Sequence, residues 1–532
     1  MHRAPARLLS TAFSAFLFLL PTFSAHAAAG PHTFFSVTLG KEASAAPVSG
    51  RLLIFLTEGE GAKEVDDDPF APKPVYVAAK EVADLKPGAQ VEVDTDDVVY
   101  PAGFSTLKAG DYQVQAVLDT RHTYAYSGRG DGDLVSAVTP LRGWTPGIGA
   151  EPELILNGNA TAEKPAPRNV DAANETAEKA AHLEDFVSPA LTRFFGWPVH
   201  MRAWVILPPG YAEHPNDRYL AAYWTHGFTG GLAYAKSTGG MIYRRMAEGK
   251  MPPMIWVMLD ESWATGTHEF ADSANNGPWG TALTTEFIPN LESKYRMVGT
   301  VKGRFLNGHS SGGWATLQLQ VNYPNVFGGT WSTSPDPSDF HDFTGVDLYA
   351  PGANVYHRPD GSLYPLVRMN GKVVGTFEGF ARLERVLGDY GGQIGSFEWV
   401  FSPRGADGRP IPMFDRETGA VNPEVVAYWG AHYDLAHTLE TDWSNRGPAV
   451  KGKIHLYVGT ADTFYLDGAA HRLDAVLTKL GGDAEFRFIE GRTHFDLYRV
   501  GDDRMGLFDQ IGAAMWAAGH NGQKWVGPAA GN

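Results

Sequence analysis

Residues 303–319, with the sequence GRFLNGHSSGGWATLQL, place two adjacent serines between glycines, after a short apolar run and before a helix-like one. Residues 308–312 fit the pattern G-x-S-x-G, in which a serine occupies a tight turn between a strand and a helix. The pattern needs glycine two positions before and after that serine, because a Cβ at either place would crowd the turn. Ser310 has both glycines, whereas Ser311 has His309 two positions before it. The pattern therefore indicates Ser310 as a candidate nucleophile above a sheet.

Beyond residue 183 the chain alternates strand-like apolar runs with helix-length segments, which is typical of a parallel sheet covered by helices. The alternation predicts an α/β domain with a mainly parallel sheet over residues 183–520. The interval 335–452 is far longer than one connecting helix requires, and it contains a hairpin-like stretch, FEWVFSP to GRPIPMFD. We interpret this interval as an insertion over the top of the sheet, where substrate-binding walls are commonly built. A purely structural elaboration is the alternative.

The first thirty residues have the three zones of an export signal. Arg3 and Arg7 supply positive charge, residues 8–23 an apolar stretch, and residues 25–27 a small-residue cleavage site. We therefore expect a signal peptide at 1–27 and a periplasmic or secreted protein. An N-terminal membrane anchor is the alternative, although the apolar run is shorter than the ~20 residues that a span needs. No later stretch is apolar and long enough to predict membrane insertion after signal removal.

Residues 30–155 contain short strand candidates separated by proline, glycine and aspartate clusters, which predict a small all-β domain. Leu107, Gly110 and Tyr112 follow the order found in the tyrosine corner of immunoglobulin-like sandwiches. We therefore expect an immunoglobulin-like sandwich, with a β-rich extension lacking its own core as the alternative. Residues 156–182 are poor in large apolar side chains, so they predict a linker before the α/β domain.

Charge and composition limit which binding partners, cofactors and metals the chain is expected to use. The chain has 44 basic and 60 acidic residues, and loss of Arg3 and Arg7 with the signal leaves 42 basic residues and a net charge of about −18. This balance argues against a nucleic acid or an anionic membrane as partner. With no cysteine, disulfides, thiolate catalysis and cysteine-ligated zinc are excluded. No phosphate or dinucleotide loop follows a strand, and His226, Asp260 and Glu261 lack the spacing of a metal motif, so neither cofactor nor metal is expected.

A serine hydroxyl is a poor nucleophile at neutral pH and needs a base that is itself oriented by an acid. In α/β-hydrolases the acid and then the histidine follow the serine along the chain. Asp462 follows the predicted strand KIHLYVG, and His494 follows the next one, FRFIEG. Because loops at the carboxyl ends of parallel strands converge, this order predicts a triad of Ser310, His494 and Asp462. Taken singly, Asp462 would indicate a turn or cap, and His494 a surface or core histidine.

The oxyanion that develops on a substrate carbonyl needs hydrogen-bond donors. One is expected from the backbone N–H of Ser311, the residue after the nucleophile. We assign the second to Phe228 in the glycine-rich turn YWTHGFTGG, with Gly227 as the neighbouring alternative; an ordinary turn is the other interpretation of this segment. Four side chains of the polar and aromatic segment 260–280 are candidates for lining the substrate pocket or for packing within their loop: Trp263, Asn275, Asn276 and Trp279.

Together these features resemble a known family, the putative-esterase group of α/β-hydrolases, which includes esterase D, enterochelin-esterase-like and feruloyl esterase-like proteins, with mycolyltransferases as relatives. The resemblance covers residues 187–517 and rests on VILPPGY, THG, NNGPWG, GHSSGG, GTAD and GRTHFDL. It implies an α/β-hydrolase fold, catalytic roles for the three triad residues, and an oxyanion hole near Phe228 and Ser311. The N-terminal β domain resembles that of enterochelin-esterase-like proteins. The long interval from Pro335 departs from the family pattern, so no particular substrate carries over.

The function expected from these observations is that of an exported serine esterase, which cleaves a carboxylic ester through an acyl-enzyme. Its substrate is expected to be a small-molecule or saccharide ester, with the acyl part, the alcohol part and the oligomeric state left open. An acyltransferase with the same triad is the nearest alternative, and a peptidase is a weaker one. From another class, a non-catalytic carbohydrate-binding protein with a degenerate hydrolase domain is also an alternative.

Overall fold

The computed structural model of the chain describes residues 32–148, 151–160, 176–177, 179–388 and 392–526. The predicted signal peptide at 1–27 lies outside the described residues, and so do 161–175 and 178 of the predicted linker. The domain boundaries stay predictions. Within the described ranges, no helix combines the length and the apolar character that crossing a bilayer requires.

The N-terminal part of the chain forms one connected nine-stranded sheet. Its strands are β1 (Phe34–Leu39), β2 (Val48–Glu58), β3 (Val75–Leu85), β4 (Gln90–Asp94), β5 (Val99–Tyr100), β6 (Gly110–Asp119), β7 (Leu134–Ser136), β8 (Thr139–Trp144) and β9 (Leu154–Asn159). They lie in the order β4-β1-β9-β7-β6-β2-β3-β5, with β8 paired to β6. Strands β1 and β9 are parallel, and the other pairs are antiparallel.

The N-terminal sheet encloses an apolar core of its own, which includes Phe35, Phe104 and Trp144. The Tyr112 hydroxyl donates to the carbonyl of Lys108 over 3.0 Å, which is the kind of hydrogen bond that defines a tyrosine corner. The described region is thus built of strands around a core, while its assignment as an immunoglobulin-like sandwich stays a prediction.

The second sheet has eight strands: β10 (Ala181–Val187), β11 (His200–Ile206), β12 (Ala221–Thr225), β13 (Ile255–Leu259), β14 (Arg304–His309), β15 (Gly329–Thr333), β16 (Ile454–Gly459) and β17 (Glu485–Ile489). Their order is β10-β11-β13-β12-β14-β15-β16-β17. Strand β11 is antiparallel to both of its neighbours, and the pairs from β13 to β17 are parallel. The carboxyl ends of β12 to β17 therefore lie along one edge of a mainly parallel sheet.

Helices cover both faces of this sheet, so that its central strands are buried on both sides. In β13, Ile255 and Val257 pack into one core while Trp256 and Met258 pack into the other, because successive side chains on a strand point to opposite faces. The helices are α1 (Tyr124–Ser127) in the N-terminal part, then α2 (Pro189–Phe195), α3 (Leu232–Ala247), α4 (Trp279–Ala282), α5 (Ile288–Lys294), α6 (Ser311–Asn322), α7 (Phe377–Leu387), α8 (Gln393–Phe401), α9 (Pro423–His432), α10 (Leu435–Val450), α11 (Asp467–Leu480) and α12 (Gly506–Gly519).

The long interval between β15 and β16 contains helices α7 to α10 and one hairpin, formed by Pro365–Met369 and Lys372–Thr376. The stretch FEWVFSP, interpreted from the sequence as part of a hairpin, is instead helical in α8. The reason is that Phe397 and Phe401 are four residues apart, so a helix brings both rings onto one face, where they stack and enter the same core.

The long interval also contacts the N-terminal sheet. Leu383 and Val386 of α7 share an apolar cluster with Leu53 of β2. The buried Arg51 guanidinium donates to the carbonyl oxygens of Arg385 and Val386 over 2.6 and 2.7 Å. The two parts of the chain are therefore joined by apolar packing and by buried hydrogen bonds.

Candidate active site

Ser310 lies in the turn between β14 and α6 with φ 61° and ψ −125°, a backbone conformation that a serine rarely adopts. The backbone N–H of Ser310 donates to the Thr333 carbonyl over 3.1 Å. A Cβ added to Gly308 would lie 2.1 Å from the Gly312 carbonyl oxygen, and one added to Gly312 would lie 2.2 Å from the His226 carbonyl oxygen. Glycine is thus required on both sides of Ser310 by backbone contacts, as the sequence pattern predicted.

Asp462 follows β16 closely, and His494 lies in the loop after β17. His494 Nδ1 donates to Asp462 Oδ2 over 2.9 Å, and both side chains are buried. Burial works to raise the pKa of Asp462, but the His494 imidazole, together with a hydrogen bond from the Phe464 backbone N–H and with the nearby Ser334 hydroxyl, holds that pKa below its usual value. The His494 ring is 4.4 Å from the ring of His309, the residue before Ser310, so the structure brings the three predicted triad residues to one edge of the sheet. Their catalytic role stays a prediction.

Two backbone groups beside Ser310 are the predicted oxyanion donors. Ser311 is the first residue of α6, so its N–H is among those without an acceptor inside the helix, at the positive end of the helix dipole. A Cβ added to Gly227 would lie 2.8 Å from Ser310 Cβ, which places the turn holding Phe228 against the nucleophile. The buried His226 ring holds this turn, because its Nδ1 donates to the Gly227 carbonyl over 2.8 Å.

A second carboxyl group, which the sequence analysis did not select, lies behind the turn. Asp336 follows β15 and accepts a 2.6 Å hydrogen bond from the Ser311 hydroxyl, and its backbone N–H donates to the Ser310 carbonyl over 3.3 Å. Burial raises the pKa of Asp336, and it raises the pKa of Glu261 and Glu269 well above ordinary values, with Asp336 adding to both shifts. Asp336 could have been predicted from the sequence by the same feature that indicated Asp462, namely a carboxylate just after a parallel strand.

The four predicted pocket residues have different environments. Trp263 is half-buried and borders an open cavity of about 600 Å³, which also touches Tyr126. Trp279 is buried, stacks on a histidine ring and donates through Nε1 to the Asn276 carbonyl over 2.7 Å. Asn275 is buried too, and its amide donates to the Ser402 carbonyl over 2.8 Å. Only Trp263 of the four borders this cavity, and the substrate contacts of all four stay predictions.

The part of the chain that the structure describes holds no group of three or more histidine, aspartate or glutamate side chains arranged to bind a metal ion. Near the turn, the His226 ring instead donates to the backbone, and the Asp260 carboxylate accepts from the Ser262 hydroxyl. His226 Nε2 accepts a 3.2 Å hydrogen bond from the backbone N–H of Glu261.

Comparison with protein families decides the class of the chain. The family model described as "Putative esterase" matches residues 197–497, which is more than half of the 532-residue chain and includes Ser310, Asp462 and His494. The chain belongs to the Putative esterase family. It is a carboxylic ester hydrolase of the serine-hydrolase type. The family assignment confirms the resemblance seen in the sequence, and it agrees with an α/β-hydrolase fold built on a mixed sheet.

Several solved structures are similar to this esterase. A fluorophosphonate-binding serine hydrolase of Staphylococcus aureus is 14% identical, with 64% of this chain and 98% of that chain covered and a TM-score of 0.39. An S-formylglutathione hydrolase from Agrobacterium tumefaciens is 15% identical, with 64% and 94% covered and a TM-score of 0.37. A ferulic acid esterase from Anaeromyces mucronatus is 15% identical, with 63% and 91% covered and a TM-score of 0.33. No curated protein sequence matches the esterase.

Proposed function

We propose that this esterase is an exported enzyme that cleaves carboxylic esters through an acyl-enzyme on Ser310. The observation that carries the proposal is the 2.9 Å hydrogen bond from His494 to Asp462 beside the turn that holds Ser310. Export rests on the signal-like sequence at 1–27. The proposal includes an N-terminal domain of the immunoglobulin-like sandwich type and a small-molecule or saccharide ester as substrate.

In the proposed acylation step, Asp462 accepts the Nδ1 hydrogen of His494, which leaves Nε2 free to take the proton of the Ser310 hydroxyl. The Ser310 oxygen forms a bond to the ester carbonyl carbon, and the carbonyl oxygen becomes an oxyanion. This oxyanion accepts hydrogen bonds from the backbone N–H groups of Ser311 and Phe228. The bond to the alcohol oxygen then breaks, and His494 returns the proton to that oxygen as the alcohol leaves.

Water completes the proposed cycle. It gives a proton to His494 and attacks the acyl carbon, and Ser310 recovers the proton when the carboxylic acid departs. The lowered pKa of Asp462 keeps this carboxylate ionised at neutral pH, so that it stabilises the imidazolium formed in both steps.

Two adjacent serines provide a matched test. We expect Ser310→Ala to abolish both p-nitrophenyl acetate turnover and labelling by a fluorophosphonate probe, because no other oxygen takes the place of Oγ. Ser311→Ala keeps its backbone N–H and should still be labelled. Full labelling of the Ser310 variant would exclude the proposed nucleophile, and transfer of the acyl group to an added alcohol in place of hydrolysis would favour the acyltransferase alternative.

A further inference from the structure

The connection between β2 and β3, residues 59–74, is held to the N-terminal sheet by buried polar side chains. The backbone N–H of Ala62 donates to Gln113 Oε1 over 2.8 Å, and that of Val65 donates to Gln115 Oε1 over 2.9 Å. Val65 is itself buried in the core beneath the sheet. The 59–74 loop therefore starts from a fixed base, although it has no regular secondary structure.

The far end of the 59–74 loop places Phe70 against the α/β part of the chain. The Phe70 ring is 5.2 Å from the ring of Phe380 in α7, 6.0 Å from that of Phe228 and 5.7 Å from that of Phe464. Its backbone N–H donates to Asp68 Oδ1 over 2.9 Å, which orients the residue at the tip. Phe70 is thus one residue through which the N-terminal part contacts the loops around the candidate active site, and Tyr126, whose ring is 5.2 Å from that of Phe228, is another.

Two of the rings that Phe70 contacts lie directly beside the proposed triad. Phe228 follows Gly227, whose added Cβ would lie 2.8 Å from Ser310 Cβ. The Phe464 ring is 4.9 Å from the His494 ring. Phe70 therefore contacts both the ring next to the nucleophile and the ring next to the base.

The exposure of these rings indicates a role beyond packing. Phe70, Phe228 and Phe464 are each only half-buried, although each is in contact with other rings. Phe495, whose ring is 5.5 Å from the His494 ring, is 71% exposed. Several partly exposed aromatic rings beside reactive groups are typical of a pocket that receives an apolar ligand group.

We propose that Phe70 is a substrate-binding residue, and that with Phe228 and Phe464 it forms an aromatic wall for an apolar, ring-sized group of the ester. The inference rests on the proposed function and adds to it the substrate class and the source of one wall. It makes the N-terminal sheet part of the substrate-binding unit, in addition to the insertion at 335–452.

The test compares three esters in a pH-stat assay of the full-length enzyme: ethyl acetate without a ring, ethyl benzoate with a ring on the acyl side, and benzyl acetate with one on the alcohol side. In Phe70→Ala we expect kcat/KM for at least one ring-bearing ester to fall roughly 10- to 50-fold, mainly through KM, because the lost contact is made in the bound ground state as well. Ethyl acetate should change less than about threefold. Phe70→Leu should recover part of the loss.

Phe34→Ala is the matched control, because Phe34 is an aromatic residue of the same sheet that is 48% exposed and lies in β1. It should leave all three esters unchanged. Fluorophosphonate labelling counts the folded active sites in each variant, so that misfolding does not imitate weaker binding.

Equal losses on all three esters in both Phe70 variants would mean a structural role and would overturn the inference. Unchanged kinetics would overturn it as well. A wild-type enzyme that is neither labelled nor active on any ester would refute the proposed function first, which distinguishes the two failures.

Discussion

Two loops at the same edge of the sheet each carry a buried aspartate, and the two residues have opposite electrostatic properties. Asp462 follows β16 and receives a hydrogen bond from His494, whereas Asp336 follows the neighbouring β15 and receives one from Ser311. Burial works to raise both pKa values; that of Asp462 is nevertheless lowered, by its imidazole partner and its further hydrogen bonds, while that of Asp336 is raised. The two aspartates therefore share a position just after a parallel strand, and the groups around each carboxyl decide the direction of its pKa shift.

The difference follows from what each partner offers to a negative charge. An imidazole can become a cation and so stabilises an adjacent carboxylate, whereas a hydroxyl supplies a single neutral hydrogen bond. Burial is the main cause of the raised Asp336 pKa, the charge of Asp462 adds to it, and the Ser311 hydroxyl and His494 oppose it. We interpret Asp336 as a positioning residue, which holds Ser311 and thereby the backbone N–H proposed for the oxyanion hole.

The largest expected effect is a difference in esterase activity between variants of the two aspartates. Asp462→Asn should lower kcat on p-nitrophenyl acetate by about 10⁴-fold, because an amide no longer fixes the imidazole tautomer. Asp336→Asn is the matched change, and it should lower kcat by less than about tenfold, since the amide oxygen can still accept from Ser311. A greater loss in the Asp336 variant would reverse the roles given to the two residues.

A smaller effect is expected on stability when the partner of Asp336 is removed. Ser311→Ala leaves the buried Asp336 carboxyl without its hydroxyl donor, so the free energy of unfolding in urea should fall by about 1–3 kcal/mol. Ser338→Ala is the control, because Ser338 is buried and its hydroxyl has no hydrogen-bond partner within the described ranges. If both variants lose the same stability, the hydrogen bond to Asp336 contributes little.

The smallest expected effect is the pH dependence of the melting temperature. The raised pKa of Asp336 means that its contribution to stability is complete below the unfolded pKa of about 4 and is lost as pH rises through the folded value. The melting temperature of Asp336→Asn should therefore rise relative to that of the wild type between pH 4 and pH 8. The expected rise is roughly 2–4 °C for each kcal/mol of stability that the wild type loses.

The stability contribution of Asp462 should depend on pH in the opposite direction. Its lowered pKa means that its contribution is present above the unfolded pKa and is lost as pH falls through the folded value. The deficit of Asp462→Asn relative to the wild type should thus be largest near neutral pH and should shrink below about pH 4. Calorimetric scans of both variants and the wild type at the same pH values test these two predictions. If the melting-temperature difference from the wild type changes with pH in the same direction for both variants, the contrast between the two aspartates is wrong.

The candidate nucleophile could be predicted from the sequence because its constraints are local. The crowding at Gly308 and Gly312 comes from backbone atoms within a few residues or in the adjacent strand, so it is expressed as a short pattern of residue types. The α8 helix was predicted wrongly for the complementary reason: an aromatic-rich stretch of nine residues has no clear period until its core is known.

By itself, the sequence determined the alternation of strands and helices, the turn around Ser310 and the order of Asp462 and His494, since each depends on neighbours along the chain or on strand ends. Only the tertiary structure decided which ring from residues 59–74 reaches the site. The contact between Phe70 and Phe464 joins residues hundreds of positions apart, and it depends on how the two sheets pack, which no local pattern encodes.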